Sequence, residues 1–119
     1  GPARAWEESN PYESVLVTLN RAVRQGSVPG DYQAVPVTSE TLAVPAGLRA
    51  TAEKVWTGHH LKVVRYSLDN VSLSPRMVRE SDFWQPGTRA VMLSTPAGPL
   101  TAGGRMQVWV TTSDAGGNR

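Results

Sequence analysis

The sequence has 119 residues and no cysteine. That excludes disulfides and thiolate metal sites, and it leaves the redox compartment unread, because a cytoplasmic protein and a disulfide-free periplasmic one look alike in this respect. No apolar run approaches the roughly 18 residues that a bilayer-crossing helix needs. The first residues do not read as a secretory leader. Gly1-Pro2 resembles the remnant of tag removal, so the chain is expected to be a piece of a longer protein.

Charge of one sign is lacking too. Twelve Lys and Arg face ten Asp and Glu, for a net charge of +2. The cations (Arg21, Arg49, Lys62, Arg76 and Arg105 among them) are spread singly along the chain. A nucleic-acid binder concentrates its cations on one face, so no direct nucleic-acid contact is expected. Gly-x-Ser-x-Gly, a P-loop and a dinucleotide fingerprint are all missing, and Gly103-Gly104 is not followed by a helix start that could cradle phosphate. These absences tilt the reading away from chemistry and toward a packed or docked surface. Glu80 and Asp82 would share a strand face and mimic a paired-carboxylate site, but a solvated or arginine-paired edge is the better reading. His59-His60 suggests a metal. In a strand the two rings would point to opposite faces, so the expectation is two half-exposed histidines beside a turn and no metal site.

What is present centres on Arg79 to Met92. Phe83 and Trp84 stand beside Gln85-Pro86-Gly87, where proline presets the first central residue of a type II turn and glycine accepts the positive φ of the second. The stretch predicts a short strand, a tight turn and a central strand from Thr88 to Ser94.

Residues 3–9 show no periodicity, and Trp6, alone among charges, is expected to fold back on the domain. A helix is predicted over about 11–25. Asn10 would be its N-cap, Pro11 its first residue and Glu13 the partner in a capping box. Tyr12, Val15, Leu16, Leu19, Ala22 and Val23 form its apolar face, Arg21 and Arg24 complement its dipole, and Gly26 ends it. Pro29-Gly30 reads as a turn. The signal then changes to period two. Residues 32–37 read as strand-like, and Pro36, which cannot donate to a ladder, makes them an edge strand or the end of one. The next strand runs over 48–56, with Leu48, Ala50, Ala52 and Trp56 on one face and Arg49, Thr51 and Glu53 on the other. A strand over 60–68 has Val64, Tyr66 and Leu68 on one face and Leu61 and Val63 on the other, which implies cover on both sides. Asp69-Asn70 reads as a turn, 77–80 as a short strand and 96–104 as a loop. The last strand, 105–112, points Met106, Val108 and Val110 inward with Trp109 opposite.

The fold class is mainly β: an antiparallel β-sandwich with one N-terminal amphipathic helix. The expected organisation is a remnant and linker over 1–10, a single sandwich domain over 11–112 and a tail over 113–119. With no chemistry in the sequence, surface carries the function. Trp56, Trp84 and Trp109 are large anchors for a small domain, although core packing is the better reading of each one alone, and an open sheet edge can accept a strand from a partner. The alternative class is a carbohydrate-binding or other ligand-binding sandwich with the same tryptophans as stacking platforms.

Several runs carry a family resemblance: Pro11-Tyr12-Glu13-Ser14, Ala22-Val23-Arg24, Val55-Trp56-Thr57-Gly58, His60-Leu61-Lys62 and above all the fourteen residues from Arg79 to Met92. From about Trp6 to Val110 the chain resembles the C-terminal domain of the TraK family of F-type conjugation systems. The resemblance implies a structural β-sandwich subunit of the type IV secretion outer-membrane core complex, with no enzyme activity and no cofactor. It implies a periplasmic location, reaching the outer membrane only through partners. The implied partners are a TraV-like lipoprotein, a TraB-like channel subunit and other TraK copies in a ring. Within that frame Arg79, Asp82, Phe83, Trp84, Gln85 and Trp109 are the candidate partner-binding residues.

Overall fold

The computed structural model describes residues 1–28 and 32–113, so the expected Pro29-Gly30 turn and the tail beyond Ser113 lie outside the described residues. Two helices, α1 (Pro2–Glu8) and α2 (Tyr12–Arg24), precede seven strands. These are β1 (Gln33–Val35), β2 (Leu48–Thr57), β3 (Leu61–Asn70), β4 (Arg76–Val78), β5 (Thr88–Leu93), β6 (Gly98–Leu100) and β7 (Arg105–Ser113), with a 3-10 turn at Glu80–Phe83 between β4 and β5. One antiparallel sheet has the order β1-β2-β3-β7-β5, and β4 and β6 form a second, two-stranded one.

Helix α2 lies where its periodicity predicts. Its end is a Schellman motif: Ser27 N donates to Ala22 O at 2.9 Å and Gly26 N to Val23 O at 3.1 Å, with Gly26 at φ 85°. Its start differs from expectation. Pro11 is the N-cap, and Asn10 instead donates Nδ2 to Trp6 O at 2.8 Å. The reason is α1, a helix that the sequence pattern did not reveal: its last turn leaves carbonyls without intrahelical partners, and Asn10 satisfies one.

Strand β3 is buried on both faces, as its two-sided apolar pattern predicts. Val64, Tyr66 and Leu68 join Leu48, Val55, Val78, Phe83, Leu93, Met106, Val108 and Val110 in one core. That core lies between the large sheet, the β4–β6 ribbon and the 3-10 turn, with Leu42, Val44 and Leu100 packed at its margin. Leu61 and Val63 join Trp56, Trp109 and Tyr32 on the other face, where Val15, Leu19 and Val23 of α2 cover them. Each fully buried aliphatic of α2 stabilises the docking by about 1.5–3 kcal/mol. The molecule is therefore sandwich-like, with a helix on the outer face of the large sheet.

Trp56 sits on the face opposite Leu48, Ala50 and Ala52, contrary to the simple alternation. A β-bulge is the cause. Ala52 pairs with Tyr66 and Lys54 with Arg65, so Glu53 is an extra residue and every side chain after it changes face. The Glu53 carboxylate accepts from Arg65 Nε and Gln107 Nε2, both at 3.1 Å, which ties the bulge across β3 and β7.

Asp69-Asn70 is not a turn. It ends β3, and Asn70 is buried. Asn70 Nδ2 donates to Ser74 O and Leu100 O, both at 2.9 Å, and Oδ1 accepts from Ser72 N at 2.9 Å and Ser72 Oγ at 2.6 Å. Its side chain thus replaces backbone partners for two loops at once. The short strand expected at 77–80 is β4 at Arg76–Val78, with Arg79 and Glu80 belonging to the 3-10 turn that follows, and the loop at 96–104 contains β6.

Candidate functional site

The Pro86-Gly87 turn forms as predicted. Thr88 N donates to Gln85 O at 2.9 Å, and Gly87 has φ 92°. Gln85 N donates to Thr88 Oγ1 at 3.0 Å, and Ser113 N to Gly87 O at 3.0 Å, so the turn is pinned to the end of β7. Before it, the expected strand is a 3-10 turn. Arg79 N donates to Asp82 Oδ2 at 2.9 Å and Asp82 N to Arg79 O at 3.0 Å. Asp82 is thereby committed to closing its own turn.

The structure separates the six candidate residues. Phe83 is fully buried in the core beneath the β4–β6 ribbon, and Trp109 is 4% exposed beneath α2 on the opposite face of the sheet. Neither reaches the surface. Phe83 points inward because the 3-10 turn wraps its side chain under the sheet, and Trp109 because β7, like β3, is covered on both faces. Arg79, Trp84 and Gln85 are exposed, and Trp84 keeps 49% of its surface open. Trp56 is 1% exposed, so of the three tryptophans offered as sugar platforms only Trp84 is accessible.

Trp84 follows the 3-10 turn and is separated from β5 by the Gln85-Pro86-Gly87 turn, and β5 is an edge strand, not the central strand that its apolar run suggested. Among the described residues it pairs only with β7. The other side of β5 faces a cavity of about 330 Å³ bounded by Leu16, Val17, Asn20 and Arg21 of α2 and Ala90, Val91 and Met92. Val17, outside the predicted apolar face of α2, is exposed here, and Tyr12, inside that face, is exposed as well. Both deviations have one signal: α2 has more apolar residues than one buried stripe can use. Arg24 fixes the far end of the groove, donating Nη1 to Leu93 O and Nη2 to Ser94 O at 3.3 Å each, with its guanidinium 5.8 Å from the Trp109 ring.

His59 and His60 also depart from expectation. They lie in the turn between β2 and β3, not in a strand, so strand alternation does not apply, and their rings converge with centroids 3.9 Å apart.

These features define a mainly antiparallel β domain with a helix on its outer face and an open apolar edge. Comparison with known proteins specifies it further: the TraK C-terminal domain model matches residues 3–112, and the chain belongs to that family. It is 58% identical over 114 residues to the TraK lipoprotein of Escherichia coli (strain K12), an alignment covering 96% of this chain and 47% of that protein. The chain thus spans about half the length of the curated relative it matches.

Proposed function

We propose that this domain is a structural assembly module of the outer-membrane core complex of a conjugative type IV secretion system, and that it acts by docking other proteins. Membership of the TraK family supports a part in that apparatus. The proposed partners are a TraV-like lipoprotein, a TraB-like channel subunit and further copies of the domain in a ring. The proposed location is the periplasm beside the outer membrane, a reading supported by the name of the relative, which is itself called a lipoprotein.

The observation that carries the proposal is an exposed tryptophan, Trp84, one tight turn before β5, a strand that among the described residues pairs on one side only and borders the α2 groove. An extended segment of the lipoprotein would add to the β5 edge through main-chain hydrogen bonds, seat apolar side chains in the groove and bury the Trp84 ring. Arg79 and Gln85 would flank the anchor, while Asp82, Phe83 and Trp109 would hold the scaffold without touching the partner. Trp84→Ala should leave the circular dichroism spectrum unchanged and weaken binding of a lipoprotein peptide about tenfold or more in calorimetry. Unchanged affinity in a folded Trp84→Ala protein would remove Trp84 from the interface.

A further inference from the structure

The histidine turn carries an inference independent of the docking surface. Glu7 is a buried carboxylate on α1. It accepts His59 N and His60 N at 2.9 Å each, one on each oxygen, and also the Tyr32 hydroxyl. One acid thus fixes the backbone of both histidines from below. The next residue, Glu8, stands beside their rings. One ligand atom from each of Glu8, His59 and His60 lies within 4.8 Å of the others.

We infer that Glu8, His59 and His60 form a binding site for a divalent transition-metal ion of the zinc class. Two imidazoles and one carboxylate are the donor set that borderline divalent ions select, and three protein ligands with an open fourth position suit a four-coordinate ion. A tetrahedral ion with N and O ligands at about 2.1 Å spaces those atoms about 3.4 Å apart. Small side-chain rotations close the difference, because His59 and Glu8 are exposed while Glu7 already holds the backbone beneath the rings. Open space borders the cluster on both sides: a cavity of about 470 Å³ reaches His59, and one of about 220 Å³ reaches Glu8 and His60. A water or a donor from another molecule can complete the coordination.

One residue opposes the ion. Arg4 Nε holds Glu8 Oε2 at 2.8 Å, which leaves Oε1 for the metal and puts a positive charge nearby. The pair is exposed, so its competition is modest. A bound ion would join α1 to the β2–β3 turn and clip the first helix onto the sheet.

The test is zinc titration of the untagged, chelator-treated chain by calorimetry, with chemical shifts read in parallel. One ion per chain is expected, with shifts confined to α1 and the 57–61 turn. His59→Ala and Glu8→Gln should each weaken binding at least about tenfold, as loss of one of three ligands requires. Arg4→Ala should tighten it up to about fivefold, because it frees both Glu8 oxygens. Both Glu8→Gln and Arg4→Ala change exposed side chains, so the fold survives to be measured. No binding up to about 1 mM zinc, or affinity unchanged in Glu8→Gln or in His59→Ala, would overturn the site.

Discussion

Gly58 shows how closely single residues are held. A Cβ built there would collide with the Tyr32 ring, whose hydroxyl reaches Glu7 and whose edge meets Trp6 at 6.0 Å between centroids. Gly58→Ala should therefore cost about 1–3 kcal/mol in urea unfolding, the usual range for overpacking, and should loosen α1 first. Asn70 makes a different demand. Its amide satisfies backbone groups in two loops, so Asn70→Ala leaves several half-buried backbone groups without that partner at once. A loss of about 2–4 kcal/mol is expected, without change in the secondary structure seen by circular dichroism. Tyr66 adds a pH dependence. Burial, and then the nearby Glu40 charge, push its pKa up to about 12 from the model-compound 10.0. The folded chain then keeps a proton that the unfolded chain has lost, so the contribution is intact below pH 10 and declines as pH rises from about 10 toward 12. Alkaline unfolding should show this slope, and Tyr66→Phe should flatten it while losing about 1 kcal/mol for the bond to Thr41 O.

At the scale of elements, side-chain periodicity revealed what is local and missed what depends on neighbours. The two faces of β3 and β7, the span of α2 and the glycine of the Gln85–Thr88 turn were legible, because spacing and turn chemistry act within a few residues. The face of Trp56 was not, since a bulge adds a residue without leaving a mark in polarity. Nor was the edge position of β5: its apolar run faces α2 and the groove, and an apolar strand at an edge reads like a central one. For a related reason sequence alone leaves Phe83 and Trp109 open to core or partner surface, because aromatic residues favour both, and the structure buries them. The bulge makes a direct prediction. Deleting Glu53 would remove the extra residue and leave Val55 and Trp56 on their present faces, because Ala52 and Lys54 already pair with consecutive residues of β3. Such a chain should keep α2 docked and still melt cooperatively, losing only the Glu53 bonds to Arg65 and Gln107.

At the scale of the whole molecule, the sheet uses both of its faces for its own stability. One is closed by the β4–β6 ribbon and the other by α2. Both faces being closed, exposed apolar surface among the described residues lies at edges and rims, and one such place is the β5 side with Trp84 and the α2 groove. This arrangement suits a subunit that gains further stability when a neighbour completes its sheet. The histidine turn joins β2 and β3, with β7 between them and β5, and shares no residue with the proposed docking surface, so metal binding and partner docking are separable by mutation.

The most direct test of the docking account is an amide and indole chemical-shift titration of the labelled domain with a soluble peptide from the partner lipoprotein. The account predicts shifts clustered on the Trp84 indole, Gln85, residues 88–93 of β5 and the Leu16–Arg21 face of α2, with the β2–β3 turn unmoved. Shifts centred elsewhere, or none at millimolar peptide, would contradict it.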